Sequence, residues 1–188
     1  MAKQLPAISE HLRAFIGQQH LFFVGTAAPD GRVNISPKGM DSLRVLGPKR
    51  VAWLNVTGSG NETAAHLLQL PRMTLMFCSF QGAPLILRLY GQTRMIQPPD
   101  TEWAQYAPLF PALPGARQIF VLEVELVQTS CGMAVPLMEF QQERDDLNSW
   151  ARRQTQEELD AYRQRKNARS LDGFPTRLPA PGAAPVDT

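Results

Sequence analysis

Apolar positions along this chain recur at two spacings, and a spacing of two dominates its first 130 residues. Gln118 to Gln128 shows it most plainly, with Ile119, Val121, Glu123 and Glu125 alternating against Phe120, Leu122, Val124 and Leu126, the signature of a strand. Leu21–Ala27, Arg32–Ser36, Leu43–Leu46, Arg50–Val56, Met73–Phe80 and Leu85–Ile96 read as further strands. Turn chemistry separates them: in Pro29-Asp30-Gly31 proline presets φ and glycine accepts a positive one, and Gly47-Pro48-Lys49 repeats the pattern. Gly91, inside a strand, predicts a bulge or a bend of a curved sheet. Helical spacing appears at Ile8, Leu12, Phe15 and Ile16, with Ser9 as N-cap and Gly17 as stop. It returns over Glu62–Leu70, with Asn61 at the cap position and Pro71 beyond the end. Pro98–Tyr106 reads as a short helix and Pro108–Gly115 as a loop.

Six or seven strands in hairpins, with helices set between them, predict a mainly β fold with flanking helices, built as a closed antiparallel barrel rather than a doubly wound sheet. After Pro136 the pattern turns helical. Leu147, Trp150 and Ala151 share one face, and Thr155 and Glu158 have capping-box spacing ahead of Leu159 and Tyr162. Seven basic and seven acidic residues cancel between Glu139 and Arg169, so this is a solvated or subunit-packing helix pair rather than a nucleic-acid arm. The expected organisation is a barrel domain with its N-terminal helix over 1–136, a helical extension over 137–175, and a disordered Pro/Ala-rich tail over 176–188.

Composition narrows the classes. With 188 residues, 44% of them apolar and 19% charged, the chain suits one globular domain with appendages. A formal charge of +2 is too small to point to nucleic acid or an acidic membrane. No apolar run approaches the roughly 20 residues of a membrane span, and the first residues lack a signal-peptide core, so a cytoplasmic location is expected. Cys78 and Cys131 form no CxxC pair, and Cys131 reads as a buried structural thiol in a reducing compartment. His11, His20 and His66 have no metal-ligand spacing, and His66 reads as a packing or surface histidine. No metal site is expected, and no Ser-His-Asp or Cys-His set picks out a catalytic residue.

The stretch from Val33 to Thr63 carries the chemistry. Lys38 closes a short polar strand after Ser36 and Pro37; it is either a cation for phosphate or for charge developing on a cofactor ring, or a surface lysine. Asn34 and Asn55 are amides in otherwise apolar strands, suited to the carbonyls and N–H of a flavin or to a neighbouring loop. Gly58-Ser59-Gly60-Asn61-Glu62-Thr63 lacks the Gly-Lys-Ser/Thr ending of a Walker loop. It still feeds a helix N-terminus, whose unpaired N–H groups attract phosphate; the alternative is a plain strand-to-helix turn.

Taken in order, these segments resemble the pyridoxamine 5'-phosphate oxidase-like family, the FMN-binding split barrels, over roughly Leu21 to Val127. The resemblance is nearest to the branch described only as predicted flavin-nucleotide-binding proteins, through Val33–Gly39, Gly58–His66, Thr129-Ser130-Cys131-Gly132 and Val135-Pro136. It implies a six-stranded antiparallel split β-barrel that works as a homodimer, with one FMN in each of two clefts at the subunit interface. It places Ser36 and Lys38 at the cofactor, Trp53, Leu54 and Asn55 along the ring, and Asn61, Glu62 and Thr63 in the phosphate turn. With Asn34 and Gly60 these make up the expected cofactor-binding set. True oxidases carry Ser-Arg-Lys in that turn, where this chain has Asn61-Glu62-Thr63, and their substrate-binding arginine has no counterpart after Cys131. The resemblance therefore implies a flavin-dependent oxidoreductase acting on some other small molecule, with Lys38, Arg32 or a partner-subunit arginine replacing the lost charge. The alternatives are a non-enzymatic flavin or haem binding or sensing protein on the same fold, and an interaction module without cofactor.

Overall fold

A computed structural model describes residues 2–182. In chain order its elements are β1 (Lys3–Leu5), α1 (Glu10–Gly17), β2 (Phe22–Thr26), β3 (Asn34–Lys38), β4 (Leu43–Gly47), β5 (Arg50–Val56) and α2 (Glu62–Gln69). There follow β6 (Arg72–Cys78), β7 (Ile86–Ile96), α3 (Trp103–Tyr106), β8 (Ala116–Ser130), α4 (Asp146–Arg152) and α5 (Gln156–Asn167). The strands form one antiparallel sheet in the order β3-β2-β6-β7-β8-β5-β4, with β1 added along β8.

The sheet curls around an interior that alternation along the strands fills with rings and branched side chains. Phe22 lies edge-on to Trp53 at 6.1 Å, Trp53 stacks on Phe120 at 4.7 Å, and Phe22 stacks on Phe77 at 5.9 Å. Burying each such side chain contributes about 1.5–3 kcal/mol. Ser9 caps α1 by accepting from the Leu12 amide, and that helix plugs the interior with Leu12, Phe15 and Ile16. A second, smaller cluster on the other face joins Leu54, Ile96 and Ile119 to Tyr106 and Phe110.

This is a mainly β fold with flanking helices, a curled split barrel. It differs from the sequence expectation in strand count and in closure. Eight strands replace six or seven, because β1, too short to show alternation, pairs along the end of β8. No ladder joins the outer strands β3 and β4 among the described residues, so the barrel is not closed by hydrogen bonds. β3 begins two residues later than expected and includes Pro37, which an edge strand tolerates. The bulge at Gly91 is present: Glu125 is the extra residue of β8 between the pairs Tyr90–Leu126 and Gly91–Val124. A Cβ at Gly91 would lie 1.9 Å from the Glu123 carbonyl oxygen, so only glycine fits. A single 3-10 turn, Ala107–Leu109, stands where a loop was expected.

In the extension, Thr155 and Glu158 make both bonds of the capping box of α5. Trp150 and Tyr162 meet at 5.0 Å, and Ala151 and Leu159 are buried. Leu147, Trp150 and Tyr162 stay half-buried. Of the tail expected to lack structure, the first residues are held against the body. Thr176 is fully buried and donates to the Asn167 carbonyl at 2.6 Å, while the Pro179 carbonyl accepts from Gln164. The remainder, 183–188, lies outside the described residues.

Candidate functional site

Alternation along the edge strand β3 points Asn34, Ser36 and Lys38 to one side. That side faces the end of β5 and the turn leading into α2, and the three elements enclose a cavity of about 370 Å³. Leu54 and Asn55 line it from β5, and Gly60, Asn61 and Thr63 line it from the turn. Eight of the nine expected cofactor residues thus meet around one space. Trp53 does not line it: on the same face of β5 as Asn55 but two residues deeper, its ring is fully buried among Phe22 and Phe120. It meets the site only indirectly, through the Lys38 ammonium 5.4 Å from its ring centre.

A hydrogen-bonded chain fixes the β3 side. Asn34 Nδ2 donates to Thr26 Oγ1 at 3.2 Å and to Thr63 Oγ1 at 3.3 Å, while Ser36 donates to Asn34 Oδ1 at 3.0 Å. The Thr26 hydroxyl, accepting from Asn34, has its own proton for His66 Nδ1 at 3.2 Å. His66 is thus the buried end of this chain rather than a surface residue. Because Ser36 donates inward, its free lone pair is offered to the cavity.

Asn61 stands at the cap position of α2 without capping it. Its Nδ2 donates instead to the Asn167 carbonyl at 3.4 Å, and its Oδ1 is buried with no partner. No protein acceptor meets the backbone N–H groups of Gly60, Asn61, Glu62 or Thr63 among the described residues. A helix start left this way is a site for an anion. Glu62 is held back from such an anion in part, since both its carboxylate oxygens accept from the Leu171 amide, at 3.0 and 3.1 Å.

The sequence reading missed Arg117, which also lines the cavity. The β5–β8 register jumps from Asn55–Gln118 to Val56–Ala116, so Arg117 is the extra residue of a bulge, a device that re-aims a side chain. Its guanidinium is almost wholly buried, donating to Asn167 Oδ1 at 2.5 Å, Gly60 O at 3.2 Å and Gln118 Oε1 at 3.2 Å. Neither Arg117 nor Lys38 has a carboxylate within ion-pair distance among the described residues. Burial, reinforced by the nearby Arg163, pulls the Arg117 pKa down to about 9, still a cation at neutral pH. Burial first and Arg117 second pull Lys38 down to about 8. Two cations crowded without an anion are stabilised by any anion that enters.

Arg32 is not part of the site; it pairs with Asp172 across the surface. Cys131, expected to be buried, is exposed because β8 ends at Ser130; backbone hydrogen bonding at Met133 lowers its pKa. No group of three or more potential metal ligands occurs among the described residues, and no helix is long and apolar enough to cross a membrane.

Residues 8–131 match the family model described as pyridoxamine 5'-phosphate oxidase. The chain belongs to that family. The pyridoxamine 5'-phosphate oxidase family protein ustO of Aspergillus flavus is 42% identical over 138 residues, 71% of this chain and 55% of that protein. The chain thus spans about half the length of this curated relative. Two solved structures share the fold. HupZ of Group A Streptococcus, crystallised as a single-residue variant, is 20% identical, with a TM-score of 0.52 over 65% of this chain and 99% of that one. A candidate pyridoxamine 5'-phosphate oxidase of Lactobacillus delbrueckii is 19% identical, with a TM-score of 0.52 over 65% of this chain and 94% of that one. The family match ends at Cys131, before α4 and α5, so the Asn167 that holds Arg117 comes from outside it.

Proposed function

We propose that this member of the family is a homodimeric FMN-binding protein and a flavin-dependent oxidoreductase whose substrate is a small molecule other than pyridoxamine 5'-phosphate. One observation carries the reading: polar strand residues, an uncapped helix start and two cations without carboxylate partners surround one cavity of about 370 Å³. That volume lies within the range of about 300–1,000 Å³ usual for ligand sites. The donor set suits FMN. Arg117, Lys38 and the free amides of the α2 turn match a phosphate, the orphaned Asn61 oxygen matches a hydroxyl, and Asn34, Ser36 and Asn55 match the polar edge of a ring.

When bound, the isoalloxazine supplies electron transfer, and the protein supplies binding, orientation and charge. Lys38, half-buried beside Trp53, would supply a positive charge from the cavity wall to offset the negative charge of a reduced ring. A second phosphate, that of pyridoxamine phosphate, would need its own cationic cluster. Arg94 is paired with Glu102, and neither it nor Arg88, whose partner is the neutral Ser130 hydroxyl, lines the cavity, so no such cluster stands beside it.

Absorption of the purified protein tests the reading, with flavin bands expected in the visible range. FMN-loaded protein should give negligible pyridoxal phosphate from pyridoxamine or pyridoxine phosphate. Turnover of about 1 per second or faster, an ordinary enzymatic rate, would restore the founding activity of the family to this chain.

A further inference from the structure

We infer that Arg117 is the phosphate-binding cation of this site, and that Asn167, at the end of the helical extension, is the residue that positions it. The inference rests on the flavin-nucleotide reading above and gives it a specific anchor. The turn into α2 has no arginine or lysine, so a phosphate held there must draw its positive charge from elsewhere. Arg117 is the cation tied to that turn, through its bond to Gly60 O.

Lys38 occupies a different row of the site. It lies over Trp53, whereas Arg117 leaves the sheet between Asn55 and Val56. Two to three residues along a strand separate these rows by about 7–10 Å. The charges are therefore divided: Arg117 at the phosphate end, and Lys38 nearer the part of the ligand that lies along β5.

Burying an arginine costs free energy unless its donors are satisfied. Here neutral oxygens satisfy it, and neutral partners leave its charge uncancelled. Asn167 is built for that purpose. Fully buried, it accepts from Arg117 through Oδ1, donates from Nδ2 to Gly58 O at 3.0 Å, and receives Asn61 and Thr176 at its carbonyl. One residue of α5 thereby sets the guanidinium and the phosphate turn relative to each other. An aspartate there would bring the guanidinium a carboxylate and cancel the charge at the same place. The extension thus acts as part of the binding site.

The test compares FMN with riboflavin, which differ only in the phosphate, by fluorescence titration of the full chain. Arg117→Gln should weaken FMN roughly tenfold to a hundredfold, the worth of a charge-assisted bond, and leave riboflavin within about twofold of its parent value. Arg117→Lys should restore part of the difference. Asn167→Asp, which keeps the arginine and the side-chain size, should also lower the FMN-to-riboflavin preference; it keeps the inference testable should Arg117→Gln fail to fold. FMN affinity unchanged in Arg117→Gln, or equal losses for both flavins, would overturn the phosphate role and leave a purely structural arginine. A preference unchanged in Asn167→Asp would overturn the positioning role. A parent protein that prefers neither flavin refutes the phosphate anchor alone, whereas one that binds neither refutes the flavin reading and the anchor with it.

Discussion

The Arg117 guanidinium donates to the side-chain oxygen of Asn167 at 2.5 Å, joining a bulge of the barrel to the last residue of α5. The partners lie 50 residues apart, one inside the segment matched by the family model and one outside it. Positive charge therefore reaches the turn into α2 by a route different from the Ser-Arg-Lys set that true oxidases carry there.

Lys38 gives the site a pH dependence with a definite sign. Its pKa of about 8 without ligand means that the ammonium that attracts an anion is present below pH 8 and lost above it. A phosphomonoester is already a dianion at pH 7, its second pKa being about 6. FMN affinity should accordingly be flat from pH 7 to 8, then fall by up to about tenfold per pH unit. Lys38→Met should bind FMN more weakly at pH 7 and lose the part of this slope that sets in near pH 8, leaving the fall that Arg117 brings from about 9. Stability follows the same linkage. The unfolded lysine keeps its proton up to the ordinary lysine value of 10.5, so the unfolded chain binds more protons between pH 8 and 10.5. This group's contribution to ligand-free stability therefore rises with pH across that window. Titrations at pH 7, 8, 9 and 9.5 check the first point; a pH-independent dissociation constant would mean that Lys38 does not face the ligand.

Gly91→Ala should be among the costliest single changes in the barrel. The added methyl meets a backbone carbonyl that cannot swing away, so a loss of about 3 kcal/mol or more is expected, at or above the upper end of overpacking costs. A urea midpoint close to that of the parent would show that the bulge at Glu125 relaxes freely.

Much of this architecture can be read from the chain because it is local. Strand alternation puts Asn34, Ser36 and Lys38 on one face, Pro-Asp-Gly fixes the first hairpin, and Gly91 marks the bulge. What escapes depends on pairing between distant segments. Arg117 stands just ahead of the strand read from Gln118, and nothing marks it until the β5–β8 register leaves it unpaired. Asn167 reads as one more polar residue on a solvated helix, and nothing in its neighbourhood signals Gly58, more than a hundred positions earlier. Trp53 departs from expectation because adjacency to Asn55 in sequence does not say how deep in the barrel a side chain lies. Cys131 departs from it because Ser130 and Gly132 on either side do not show where a strand leaves the sheet.

The opposite face of β3 predicts assembly. Ile35 in β3 and Val33 just before it are 69% and 70% exposed, alternating along the chain with the residues that line the cavity. A second copy covering them would bury apolar surface and bring partner atoms to the mouth of the site. Light scattering at micromolar concentration should give a dimer, and Ile35→Asp should shift it toward monomer and weaken FMN. A parent protein that is strictly monomeric with FMN bound would contradict an interfacial site.

The most direct measurement of the central claim is titration of the apo-protein with FMN, with riboflavin in parallel. Flavin fluorescence should be quenched to saturation at about one FMN per chain, with riboflavin binding roughly tenfold or more weakly for want of the phosphate contacts. Absence of quenching by either flavin would contradict the assignment of this cavity to a flavin nucleotide.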